Sequence, residues 1–261
     1  MKLEVKALDC GYTDVPNVES VDFKIQPGDF LCLLGPNGSG KTALLKTLAG
    51  LLPVRAGSYF IDGVNMIHAS GKQRARLTTF VPQSHAPVFT FSVLDVVVTG
   101  RAGSWPLWAG PQKTDWEAAW NALSVIGMEH LARRPYTQIS GGERQMILIA
   151  RALAQGAAYL LLDEPASSLD FGNQVRLLHL LQQLASEGRG IIMTSHHPDH
   201  AIRYASQVAT ISDRQFRWLG EPRSTLDAGC LESIYHIPFI VSRLYPRGSG
   251  YPIPICVPSF L

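Results

Sequence analysis

No run in this 261-residue chain is long and apolar enough to cross a bilayer. Apolar runs such as Tyr159–Leu162, or Val93–Val98 with Asp95 inside it, fall far short of the roughly 20 residues a spanning helix needs. If the protein works at a membrane, it does so through a partner. Cysteine is scarce too: Cys10, Cys32, Cys230 and Cys256 are scattered, with no C-x-x-C pair, and Met1-Lys2-Leu3-Glu4 is not expected to open a secretory leader. That excludes a disulfide framework and fits reduced thiols in a cytosolic protein. Charge of either sign is modest, 17% of residues with a formal net charge of +2. Without a large basic field, no nucleic acid partner is expected. No solenoid or propeller period is visible, and long heptad arms are absent.

What the chain does have is Gly35-Pro36-Asn37-Gly38-Ser39-Gly40-Lys41-Thr42, a match to G-x-x-x-x-G-K-[ST]. Glycines let consecutive backbone N–H groups turn inward around anionic oxygens. Lys41 adds a compact charge for β- and γ-phosphates, and the Thr42 hydroxyl is placed to ligate Mg²⁺. The flanks agree: residues 29–34 read as a short buried strand and residues 41–49 as a helix ended by Gly50. That helix would aim its positive end at the phosphates. The motif occurs once, so a mechanism with two nucleotide sites requires a second chain.

Around it the pattern is strand and helix. Residues 2–34 read as strands, residues 54–68 as a hairpin turning at Asp62-Gly63, and residues 74–156 as helical segments, one of them opened by a capping box at Thr114-Asp-Trp-Glu117. Strand and helix then alternate again through Tyr159–Leu162, residues 174–185, residues 191–194 and Pro198–Tyr204. The expected fold class is α/β, a parallel core interrupted by a mostly helical insert. Residues 246–258 hold four prolines and read as an extended tail.

Two further motifs carry chemistry. Tyr159–Leu162 runs into Asp163-Glu164-Pro165, an apolar strand delivering two carboxylates at the end where parallel sheets bind ligands. Asp163 suits Mg²⁺, and Glu164 suits polarising a water that attacks the γ-phosphate. Ile139-Ser140-Gly141-Gly142-Glu143 opens a helix with a Ser140/Glu143 capping box, and its paired glycines expose bare N–H groups, a second anion-binding surface.

Together these motifs resemble an ATP-binding cassette ATPase, the nucleotide-binding subunit of an ABC transporter, over roughly residues 2–215. The resemblance implies a P-loop core with a mixed sheet and an antiparallel β subdomain, built from residues 1–75 and 157–215. A helical subdomain over residues 76–156 would be inserted, and residues 216–261 would form a short C-terminal extension. Residues 35–42 then correspond to Walker A, residues 159–164 to Walker B, and residues 139–143 to the signature usually written Leu-Ser-Gly-Gly-Gln. Gln83 matches the Q-loop residue that touches Mg²⁺ and the attacking water, residues 167–170 the D-loop, and His196 the switch histidine at the γ-phosphate. Tyr12 is placed like the aromatic that stacks on adenine. Glu143 for Gln, Ile139 for Leu and Ser168 for Ala are departures that leave hydrolysis intact.

By the same resemblance ATP and Mg²⁺ are the cofactors, and the unit is a homodimer in which Ser140, Gly141 and Gly142 act on the ATP held by the other chain. An integral membrane permease would dock near residues 84–105, and a periplasmic or extracellular solute-binding protein would act indirectly. That places the chain on the cytoplasmic face of the plasma membrane. The wording Phe91-Ser-Val-Leu-Asp-Val-Val…Gly100-Arg101 is similar to the importer branch serving iron chelates, haem, cobalamin and molybdate or tungstate. A long regulatory domain after residue 215 is not expected. The alternative is an ABC ATPase of the iron–sulfur assembly type, with no permease.

Overall fold

The computed structural model describes residues 2–83, 90–105, 108, 110–245 and 252–259. The chain opens with two antiparallel strands, β1 (Leu3–Cys10) and β2 (Val18–Ile25), whose alternation of buried and exposed residues marks one wet face. β3 (Phe30–Leu34) is buried throughout and runs through residues 35–40 into α1 (Lys41–Leu48). A hairpin of β4 (Val54–Ile61) and β5 (Val64–Asn65) returns to β1, turning at Asp62-Gly63 as the sequence predicts. Next come α2 (Gly71–Leu77) and β6 (Thr78–Val81), then the helices α3 (Val93–Val98), α4 (Lys113–Val125) and α5 (Gly141–Gln155). Alternation resumes with β7 (Tyr159–Leu162), α6 (Phe171–Ser186), β8 (Gly190–Ser195), α7 (Pro198–Tyr204), β9 (Gln207–Ser212) and β10 (Gln215–Gly220). The short α8 (Pro222–Thr225), α9 (Ala228–Tyr235) and a hairpin of β11 (Phe239–Leu244) with β12 (Ile253–Pro258) complete the described chain.

Ten strands make one sheet in the order β5-β4-β1-β2-β10-β9-β3-β8-β7-β6. Its β9-β3-β8-β7-β6 half is parallel, its β5-β4-β1-β2 end antiparallel, and the two meet where Gln215 pairs with Glu19. Period-2 alternation sends the two faces of each central strand to different cores. Phe30, Cys32, Leu34, Leu160, Leu162, Ile191 and Met193 face α3 to α7, whereas Leu31, Leu33, Leu161 and Ile192 face α1 and the antiparallel strands. Truncating such a buried leucine to alanine costs about 2–5 kcal/mol, so β3, β7 and β8 are costly to disturb.

The mixed sheet, the antiparallel end and the helical insert agree with the expected fold class. Three details differ. Thr78–Val81, within the stretch read as helical, is strand β6 at the edge of the parallel sheet, paired with β7 alone. The α4 cap is not at Thr114: the helix starts at Lys113, and the Asp115 carboxylate accepts the Gln112 N–H at 2.9 Å while also holding Arg101 at 3.1 Å. The boundary at residue 215 falls in β10, a full member of the large sheet. Residues 253–258 are extended as expected, whereas residues 84–89 of the expected docking segment and residues 246–251 of the proline-containing tail lie outside the described residues.

Two glutamines of α5 strap β6 to the helix. Gln155 accepts from Thr79 Oγ1 at 2.7 Å and donates to the Ala75 and Thr78 carbonyls at 2.7 and 2.9 Å, and buried Gln145 donates to the Pro82 carbonyl at 3.4 Å.

Candidate nucleotide and catalytic site

β3, β8, β7 and β6 are neighbours in register, and each ends at the same edge in a residue singled out from the sequence. Leu34 pairs with Ser195, Met193 with Leu162, and Leu162 with Val81. Gly35, His196, Asp163 and Gln83 therefore leave adjacent strand ends, although up to 161 residues separate them in sequence.

The loop of residues 35–42 closes in ways only glycine allows. Gly35 has φ +157°, where a Cβ would strike the Ile211 carbonyl oxygen, and Gly40 has φ +107°, where it would strike Val18. Gly40 is also the N-cap of α1 and offers no side chain, and no acidic residue lies in the first turn, so the leading N–H groups stay free for an anion. Ser39 Oγ is buried without a hydrogen-bond partner, a second donor left over by the protein itself. The Lys41 ammonium is buried and donates to the Gly35 and Pro36 carbonyls at 2.8 and 2.9 Å. Burial pulls its pKa below the usual lysine value, and the Glu164 and Asp163 carboxylates partly offset this. Such a buried charge, whose ammonium is held by two backbone carbonyls beside the P-loop, suits a polyphosphate.

Opposite the loop, Thr42 Oγ1 lies 2.9 and 3.0 Å from the two Asp163 oxygens. Glu164 follows with φ +43°, a left-handed conformation unusual for a side-chain-bearing residue. Its N–H donates to Thr194 Oγ1 at 2.8 Å, and the same hydroxyl donates to Asp163 Oδ1 at 2.9 Å, which locks the turn. The Glu164 carboxylate then stands 3.7 Å from Lys41 Nζ, accepts Gln83 Nε2 at 3.2 Å, and lies 3.3 Å from His196 Nδ1, which is off hydrogen-bond alignment. A cavity of about 420 Å³ is lined by Asn37, Gly38, Ser39, Gly40, Lys41, Thr42, Gln83, Glu164 and Tyr12. Tyr12 is 52% exposed, with Lys46 Nζ 5.4 Å from its ring centre.

Ser140, Gly141 and Gly142 are not among that cavity's lining residues. They begin α5 as Ser140 N-cap and the first two helical positions, with Ser140 and Gly141 exposed. The capping box forms as predicted: Ser140 N–H donates to Glu143 Oε2 at 2.7 Å, and Glu143 N–H to Ser140 Oγ at 3.2 Å. These bonds hold the Glu143 carboxyl below its ordinary pKa, so its charge belongs to the helix start. Sequence reasoning missed Thr194, the hydroxyl joining Asp163 to Glu164. The available signal was a polar residue inside the otherwise apolar run Ile191-Ile-Met-Thr194.

A family model described as ABC transporter matches residues 18–167. The chain belongs to the ABC transporter family. This ABC ATPase is 39% identical over 236 residues to an uncharacterized ABC transporter ATP-binding protein of Haemophilus influenzae, covering 90% of this chain and 89% of that one. It is 36% identical to the molybdate import ATP-binding protein MolC of the same organism, over 89% of this chain and 87% of the relative. Among solved structures it is similar to one of an ABC transporter assigned to the metal-chelate type and facing inward, with TM-score 0.88 and 33% identity over 99% of this chain and 97% of that chain. Among the described residues of the ABC ATPase, no helix is long and apolar enough to cross a membrane.

Proposed function

We propose that this ABC ATPase hydrolyses ATP as one of two identical subunits that energise an importer, for an iron chelate, haem, cobalamin, or molybdate or tungstate. The observation that carries the reading is the convergence of Gln83, His196 and Lys41 on the Glu164 carboxylate beside the P-loop cavity. In it, backbone N–H groups of residues 35–42 and Lys41 hold the phosphates, Tyr12 receives the base, and His196 and Gln83 face the terminal phosphate. Glu164 accepts a hydrogen bond from the attacking water and takes its proton as the oxygen closes on phosphorus. Thr42 and Asp163 offer a hydroxyl and a carboxylate within 3.0 Å of each other, hard oxygen donors that suit Mg²⁺. With Gln83 they would hold the ion, which supplies charge neutralisation across the β- and γ-phosphates.

The exposed α5 start explains why two copies are needed. Ser140, Gly141 and Gly142 lie outside their own chain's cavity and are free to close the site of another. ATP is then part of the glue, and its hydrolysis shifts the population from closed to open dimers. A permease docks near residues 84–105, which places the chain peripherally on the cytoplasmic face, and a solute-binding protein acts only through that permease. The similarity to a molybdate import ATP-binding protein and to a transporter of the metal-chelate type supports this branch of importers.

Tagged chain expressed in its native host is expected to copurify with a multi-span permease, and proteoliposomes of the complex to take up ferric chelate or molybdate only with ATP. A chain that hydrolyses ATP yet never holds a multi-span protein would instead favour the permease-free class.

A further inference from the structure

The C-terminal extension, to which the sequence assigns no chemistry, reaches the catalytic edge at two points. Leu231 and Ile234 bury α9 against the body of the protein, and Tyr235, its last residue, packs on the main core beside Phe239, ring centres 5.6 Å apart. The Tyr235 hydroxyl donates to the His196 carbonyl oxygen at 3.2 Å. Farther along, the Cys256 N–H of β12 donates to Asp199 Oδ1 at 3.0 Å, in the first turn of α7. Residues 196–199 are thus gripped at both ends by a segment remote in sequence.

The grip matters because, among the described residues, no strand pairs with His196. The β3–β8 ladder ends at Leu34 and Ser195, so the carbonyl of His196 lies beyond the last rung and needs another donor. Its ring packs on that of His197, centres 4.0 Å apart, but Nδ1 makes no aligned hydrogen bond and the side chain is 37% exposed. Burial raises the Tyr235 pKa well above the ordinary tyrosine value, so the phenol keeps its proton and remains a donor throughout the working range.

We propose that Tyr235 is a positioning residue for His196, its hydroxyl tying the main chain of that histidine to the end of α9 so that the imidazole stays beside Glu164. The inference rests on the reading above that His196 serves the terminal phosphate. Through this bond the extension becomes part of the catalytic apparatus without touching substrate.

Tyr235→Phe in the full chain removes one oxygen and keeps the ring. The expected result is a turnover lowered about three- to tenfold, the worth of one hydrogen bond, with KM for ATP within about twofold and little change in melting temperature. His196→Ala and the double variant are assayed beside it. If the hydroxyl acts through His196, the double variant turns over no more slowly than His196→Ala alone. Unchanged turnover in Tyr235→Phe beside a slow His196→Ala overturns the inference and leaves the role of His196 standing. So does a Tyr235→Phe loss that persists undiminished in the His196→Ala background, since the hydroxyl would then act elsewhere. Full activity in His196→Ala would remove the reading beneath it.

Discussion

Helices α1 and α5 both begin on glycine-rich sequence, yet their first turns are furnished differently. At α1 the cap is Gly40, no side chain satisfies the leading N–H groups, no acid sits in the first turn, and the buried Lys41 ammonium stands alongside. At α5 the Ser140–Glu143 box satisfies one donor internally and adds a carboxylate, and Ser140 and Gly141 face solvent. The first end is incomplete without an anion. The second is stable alone and has N–H groups to lend. If the proposed roles hold, a helix start that binds substrate in the monomer is left bare, whereas one that meets the ATP of a second chain is capped by its own side chains.

The largest expected effect comes from stopping the reaction while both ends are engaged. Glu164→Gln should keep ATP affinity and lower turnover by about 10²-fold or more, accumulating an ATP-bound dimer visible by analytical ultracentrifugation. Turnover within a few-fold of the unaltered chain would take Glu164 out of that role. Lys41→Ala attacks the α1 end alone: ATP affinity by calorimetry should fall by about ten- to a hundredfold, the range for hydrogen bonds to a charged group. Unchanged affinity would mean that the bare helix start suffices.

Gly141→Asp attacks the α5 end alone. A Cβ there meets nothing within 4 Å, so the fold should tolerate it. Monomer affinity for ATP should hold while ATP-driven dimerisation and turnover are lost; a dimer that still forms would contradict completion by the second chain. The smallest effect is expected from Glu143→Gln. Because the folded-state pKa of Glu143 is lowered, its ionised carboxylate adds stability above the ordinary carboxylate range, lost as pH falls through the folded value. Glutamine also closes the box, so stability at pH 7 should change by no more than about 0.5 kcal/mol, while the decline on the acid side flattens in thermal melts.

How far this was legible follows from whether a residue acts through its neighbours in sequence or in space. Residues 35–42, Asp163 with Glu164, and Ser140 with Glu143 each need a fixed local spacing, so sequence pattern suffices for them. Thr194 does not: its importance lies in bonding Glu164 N–H and Asp163 Oδ1 from a neighbouring strand. Tyr235 meets His196 39 residues away along the chain, and no local period marks it. Strand β6 escaped for another reason. Four residues are too few to show alternation, and their strand state is fixed by pairing with β7 and by the α5 glutamines. At α4 a plausible Thr114/Glu117 box lost to Asp115, because Arg101, too far away for any capping rule to see, had already fixed that carboxylate.

The strap between α5 and β6 has a mechanical consequence. Among the described residues β6 is an outer strand with a ladder on one side, whereas the other three strands that deliver the site are paired on both. Yet Gln145 and Gln155 couple it along its length to the helix whose first turn carries Ser140. On the proposed reading, those bonds tie the strand that delivers Gln83 to the helix that begins at Ser140, so the water side of one site and the face turned to a second chain share one hydrogen-bonded unit.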